Sequence, residues 1–167
     1  VRSAVPHAPK IRLMIDTGPL GYLSIAAHGH ADALSILLWV DELEFLIDPG
    51  TYAYHTQPEW RAYFRGTSAH NTVAIDGIDQ SVPGGNFMWL RHGNAVCREI
   101  HVDADGAVIT GEHDGYARLE DPVVHARAVN VRAGQPEILV TDEFRCRSKH
   151  EAEIRWHFSE CCHVELG

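Results

Sequence analysis

The stretch His28-Gly29-His30-Ala31-Asp32-Ala33-Leu34-Ser35 concentrates more metal-capable and proton-transferring side chains than any other part of the chain. On an extended backbone, two imidazoles two residues apart point to the same side and can serve one centre. Asp48 lies in the next polar stretch, Asp48-Pro49-Gly50-Thr51-Tyr52, and His70 in the one after, Arg65-Gly66-Thr67-Ser68-Ala69-His70-Asn71-Thr72. Asp and His donors together suit a zinc-like ion. A His-x-His pair by itself is equally compatible with imidazoles that are merely solvated or satisfied in a core.

Arg61, Arg65 and His70 stand among Trp60, Tyr63 and Phe64. Arginine pairs with a carboxylate or sulfate, and an aromatic face stacks on a sugar ring, so this segment reads as a wall for an anionic sugar. Tyr52, Trp60 and Arg65 are the expected contacts. The bland reading is a short amphipathic helix that packs Trp60 and Phe64 on the core and leaves its arginines in water. Nothing in the chain has the pattern of a phosphate-cradling loop, a nucleophile elbow or a dinucleotide fingerprint.

The elements that must position these residues read mostly as strands. Ile11–Ile15 alternates apolar and polar residues, and Asp16-Thr17-Gly18-Pro19 stops it. Leu34–Val40 is a nearly continuous apolar run that turns at Asp41-Glu42 and returns as Leu43–Ile47. In a regular hairpin of that kind Asp48 falls near the start of the Leu34–Val40 run, and His30 is then roughly 15–20 Å away at the usual strand rise. The His28–Asp32 stretch must therefore fold back as a loop, which Gly29 permits. Thr56-Gln57-Pro58-Glu59 has the capping-box pattern and predicts a helix over 58–64. Thr72–Ile75 is a strand ended by the turn Asp76-Gly77. The segments 96–102, 107–111, 123–131, 138–144, 152–158 and 163–166 complete nine or ten short strands. The expected fold is an all-β, antiparallel β-sandwich with one short helix, forming a single domain over residues 1–167.

Composition narrows the partners. A 167-residue chain that is 45% hydrophobic is long and apolar enough for one real core. Its net charge of −9, from 23 acidic against 14 basic residues, argues against nucleic acid or an anionic membrane as the main partner. No apolar stretch is long enough to span a membrane. Cys97, Cys146, Cys161 and Cys162 form neither a disulfide framework nor a cysteine zinc site. The chain starts without an initiator Met and stops after a strand-like segment, so a piece of a longer protein is expected.

The motifs together carry a resemblance. His28-Gly29-His30-Ala31-Asp32-Ala33-Leu34-Ser35, Asp48-Pro49-Gly50-Thr51-Tyr52, Arg65-Gly66-Thr67 and His70-Asn71-Thr72 closely resemble the heparinase II/III-like family of polysaccharide lyases. So do Asp16-x-Gly18-Pro19-Leu20-Gly21, Asp79-Gln80-Ser81 and Phe87-Met88-Trp89, and less specifically His125-x-Arg127 and Trp156-His157-Phe158.

The resemblance implies the C-terminal β-sandwich of an enzyme whose N-terminal α/α toroid is not represented here. Such enzymes cleave uronic-acid-containing polysaccharides by β-elimination. It implies His28 as the catalytic residue of the sandwich. It implies His30, Asp48 and His70 as ligands of one zinc per chain, for which a structural role is expected. The base-like Tyr and the carboxylate-neutralising Asn or His would lie on the toroid, so the isolated chain is expected to be inactive. Implied partners are an acidic polysaccharide and the chain's own toroid, with self-association through the uncovered face. A substrate of this class favours a periplasmic or secreted, bacterial setting. The other reading is a non-catalytic carbohydrate-binding or assembly module that retains the fold and the metal site.

Overall fold

Period-two alternation builds the first strand, and the computed structural model, which describes residues 9–135 and 137–165, shows it as β1 (Ile11–Ile15). β1 pairs antiparallel with β2 (Ile36–Val40), and β2 with β3 (Leu43–Leu46). The Asp41-Glu42 turn joins Val40 to Leu43, and a bulge then sets Leu38 against Leu46. The β1–β2 ladder runs on past the strands: Asp16 N–H donates to Ser35 O at 3.0 Å and Leu34 N–H to Asp16 O at 2.7 Å. That extension pins the end of the His28–Ser35 stretch to the sheet.

Helix α1 spans Pro58–Arg65, with Pro inside the first turn as expected. Its N-cap is Gln57 and makes no side-chain cap bond, so the Thr56 capping box is not formed. A single 3₁₀ turn, Thr67–Ala69, leads into β4 (Val73–Ile75). After β4 the expected Asp76-Gly77 turn brings Ile78 N–H to Ile75 O at 2.9 Å. Two short strands, β5 (Val82–Pro83) and β6 (Trp89–Arg91), pair with each other.

The second half folds into one sheet in the order β10-β9-β8-β7. Its strands are β7 (Ala95–Val102), β8 (Gly106–Tyr116), β9 (Val123–Arg132) and β10 (Ile138–Arg145). β11 (Ala152–Ile154) pairs with β4. The expected strand over 152–158 is shorter than predicted, and Phe158 makes only an isolated bridge to Leu46. The expected last strand is not formed at 163–165, and residue 166 lies outside the described residues. The protein is thus an all-β antiparallel sandwich with one short α-helix and a 3₁₀ turn.

The layers meet at Val73, Ile75, Tyr116 and Val123, all 1% exposed or less, with Leu119 and Phe144 packed against them. Each such burial contributes about 1.5–3 kcal/mol. The Arg98–Glu112–Arg145 pairs stand on the surface, where an ion pair contributes about 0–1 kcal/mol, so the apolar core holds the sheets together. Gly111 of β8 lies under the first layer, where a Cβ would come within 2.8 Å of both Leu34 Cδ2 and Thr17 Cγ2. The absence of a side chain there lets the Leu34 loop settle on the sheet.

One surface tie titrates. His150 donates from Nδ1 to Asp76 at 2.7 Å and from Nε2 to Asp121 at 3.2 Å, which only the imidazolium can do at once. The bond to Asp76, then that to Asp121, raises the His150 pKa above its ordinary 6.5, and the bond to His150 lowers that of Asp76. A raised folded-state pKa contributes stability that is full below the unfolded value and is lost as pH rises through the folded value. The urea midpoint of the wild type is therefore expected to fall more steeply than that of His150→Gln as pH rises above the ordinary histidine value of 6.5. Parallel curves for the two proteins would overturn this.

Candidate metal centre and the surface beside it

The polar stretch leaves the sheet as a loop, as the length argument requires: no strand is formed between Ala27 and Ser35. His28 and Leu34 adopt φ of 62° and 61°, left-handed values that cost a non-glycine residue roughly 1–2 kcal/mol each. Neighbours compensate. Trp89 Nε1 donates to Gly29 O at 2.9 Å, and Ala31 N–H to Arg65 O at 2.8 Å. A Cβ on Gly29 would meet Leu20 Cδ1 at 2.8 Å and Gly21 N at 2.9 Å, so the two ends of the preceding loop cross here only because position 29 has no side chain. Ala26, Ala31 and Trp89 form a small apolar cluster beneath.

This path brings His30, Asp32 and His70 together, with one donor atom from each lying within 4.8 Å of the other two. The two rings are 5.2 Å apart. His70 is completely buried, and its Nδ1 donates to Asp48 Oδ2 at 2.6 Å. Its Nε2 is buried without a hydrogen-bond partner. Asp48 is held in turn by Gly50 N–H at 2.8 Å, and Thr51 Oγ1 lies 3.2 Å from His30 Nε2.

The electrostatics follow from burial. Desolvation, aided by His70, pushes His30 down to about 4, and desolvation pushes Asp32 up to about 7. Burial, the largest single influence, lowers His70, but the bond to Asp48 and the negative charges of Asp32 and Asp48 together outweigh it and the net shift is upward.

These residues fit a divalent metal. With Nδ1 donating to Asp48, His70 Nε2 is left in a dry place without a partner, which costs free energy in either protonation state, and the neutral ring presents a lone pair there. A metal-ligating His usually donates its other nitrogen to a carboxylate, and Asp48 supplies that arrangement. Two nitrogens and a carboxylate oxygen, with a position left for water, are a set that zinc takes. Asp48 was expected among the ligands. The geometry gathers Asp32 with the two imidazoles and sets Asp48 against His70 Nδ1. Asp32, two residues after His30, is a candidate donor that the motif positions did not single out.

Beside this centre His28 is exposed at the surface, with its ring centroid 5.8 Å from Phe87 and 6.2 Å from Tyr54. Tyr52 is 65% exposed and Trp60 50% exposed, and the two rings lie 5.8 Å apart. Tyr63, Tyr54 and Phe87 are exposed too.

Arg65 is not on that surface. It is 3% exposed, bonds the carbonyls of Gly85 and Met88, and stacks on Trp89 at 4.4 Å. Arg61 is likewise buried and grips Asn86 O with two nitrogens. The inward arginines depart from both expected readings, and the outward Trp60 departs from the one that packed it on the core. Gly85 O and Asn86 O take their donors from these side chains while Met88 O also accepts from Gly84 N–H at 3.0 Å, and a guanidinium fork can satisfy loop carbonyls where an aromatic ring cannot.

Asn71 was quoted as part of a motif but given no role. It is fully buried, donates to Ile36 O at 2.8 Å and Ile47 O at 2.9 Å, and accepts from His157 N–H at 2.6 Å. It anchors the chain directly after His70.

The molecule is thus an antiparallel β-sandwich carrying a part-buried His/His/carboxylate cluster beside an exposed histidine. The sequence matches the family model Heparinase II/III-like, C-terminal, over residues 4–167, and the chain belongs to that family of polysaccharide lyases. Among solved structures, a heparinase III superposes with a TM-score of 0.72 at 18% identity, covering 93% of this chain and 22% of that one. The heparan sulfate lyase HepC from Pedobacter heparinus gives 0.69 at 18% identity over 89% of this chain and 21% of that one. At such identity the likeness shows the fold. This chain spans about a fifth of the length of those relatives. No curated protein sequence matches it.

Proposed function

We propose that the chain is the C-terminal domain of a polysaccharide lyase that cleaves uronic-acid-containing polymers by β-elimination, with His28 its catalytic residue and zinc its structural ion. The observation that carries this reading is the juxtaposition of the part-buried His30/Asp32/His70 cluster with the exposed His28, two residues from His30 on the same loop. Removing the proton beside a uronate carboxylate builds negative charge that must be stabilised, while the glycosidic oxygen leaves with a proton. An imidazole held at the surface can move a proton or donate to that charge. Tyr52 and Trp60 offer exposed faces for sugar rings, and Arg65 supports the site from below. Bound at His30, Asp32 and His70, zinc would tie the loops that hold His28, and small misplacements of a catalytic group are costly. Asp48 would align His70.

One His cannot supply base, carboxylate neutralisation and scaffold together. The remaining groups are assigned to an N-terminal toroid domain, consistent with the length of the solved relatives. The isolated chain is expected to produce no unsaturated ends from uronate polymers, measured by their ultraviolet absorbance, while the full-length parent produces them. Turnover by the isolated chain, or none by the parent on any uronate polymer, would overturn this division.

The exposed rings at Tyr52, Trp60 and Tyr63 also favour a second reading, a non-catalytic carbohydrate-binding module. The two readings differ in solution. An aromatic face made to be covered should drive self-association of the isolated chain, whereas a sugar-binding module should remain monomeric. Sedimentation at several concentrations separates them, and a strict monomer counts against the missing-domain reading.

A further inference from the structure

The four-stranded sheet lies behind the metal cluster and contributes no ligand, yet one of its side chains reaches both ligand-bearing loops. Arg127, in the middle of β9, is 1% exposed. Its Nη1 donates to Leu34 O at 2.9 Å and to Asn71 O at 2.7 Å. Leu34 closes the loop that carries His30 and Asp32, and Asn71 directly follows His70. Two carbonyls bonded to one nitrogen cannot separate by more than the sum of those bonds. The rest of the fork is fixed from the sheet: Nε and Nη2 bind the two oxygens of Asp142 on β10 at 2.7 and 3.0 Å.

Asp142 is itself locked. Gly115 N–H donates to His113 Nδ1, so His113 carries its proton on Nε2 and donates to His125 Nδ1 at 3.0 Å. His125 then carries its proton on Nε2 and donates to Asp142 Oδ1 at 2.7 Å. Every donor in this buried chain has an acceptor. A buried ion pair is a poor source of stability compared with apolar packing, so its retention here calls for another use.

We infer that Arg127 is the positioning residue of the metal centre: its guanidinium fixes the spacing between the His30/Asp32 loop and the His70 segment. This rests on the metal reading above.

The test uses Co2+ as probe, with affinity from chelator competition and geometry from its ligand-field absorption, on wild type, Arg127→Met, Arg127→Lys and Val129→Ala. Val129 is on the same buried face of β9, two residues on, and serves as a control for general destabilisation. Arg127→Met is expected to bind Co2+ about 10–100-fold more weakly, the range typical for loss of an outer partner, with altered absorption. Arg127→Lys should fall in between, and Val129→Ala should match wild type. The sign is diagnostic. Removing a positive charge would by simple electrostatics strengthen cation binding, so weakening reports lost geometry. Wild-type affinity and spectrum in Arg127→Met overturn the inference. If that variant does not fold, wild-type behaviour in Arg127→Lys does so, as does an equal loss in Val129→Ala. A wild type that takes no Co2+ sinks the metal reading and this inference together.

Discussion

A His70→Ala chain is expected to lose its zinc and to unfold about 5–10 °C below the zinc-loaded wild type. The estimate combines two magnitudes. A ligand present at 100 times its Kd stabilises by about 2.7 kcal/mol. In a domain of this size each kcal/mol moves the midpoint by roughly 2–4 °C. The substitution also deprives Asp48 of its partner and opens space at a fully buried position, so the metal does not account for the whole loss. Calorimetry with and without chelator separates the parts. Chelator should lower the wild-type midpoint by most of the difference and leave His70→Ala unmoved. Equal chelator sensitivity in both proteins, or no zinc in freshly isolated wild type, would show that the orphaned Nε2 has another explanation.

In the full-length enzyme, His28→Ala should lower kcat by about 10²–10⁴-fold, the usual contribution of a positioned acid or base. Zinc content and midpoint should barely change, because His28 is exposed, with its ring beside the exposed rings of Tyr54 and Phe87. Its backbone is left-handed, where alanine is strained. His28→Asn is therefore the companion variant, since asparagine tolerates that conformation. Loss of turnover in both variants with zinc retained is the expected signature. Turnover retained in His28→Asn and lost in His28→Ala would trace the effect to backbone shape instead of chemistry.

The contrast between those two histidines marks how far the chain can be read without its fold. Local pattern determined the first hairpin, the helix over Pro58–Arg65 and the four long strands of the second half, because alternation and turn residues report on neighbours a few positions away. It also required the His28–Asp32 stretch to fold back, since a strand of that length could not bring His30 near Asp48. The family motifs and the polar loops that carry them stood out by residue type.

Tertiary structure decided which way the side chains face. The helix pattern is compatible with either orientation of its arginines. The loop carbonyls of Gly85, Asn86 and Met88, about 20–25 positions away, hold Arg61 and Arg65 inward and leave Trp60 in water. The fold brings Asp32 beside the two imidazoles and Asp48 against His70 Nδ1, and no spacing encodes either approach. Arg127 reads as an ordinary inward position of a strand until its carbonyl partner, 93 residues earlier in the chain, is in place. The physical reason is common to all three. Apolar burial is non-directional and leaves a periodic trace in the sequence, whereas a buried polar group is satisfied by particular donors and acceptors that only the folded chain brings within reach.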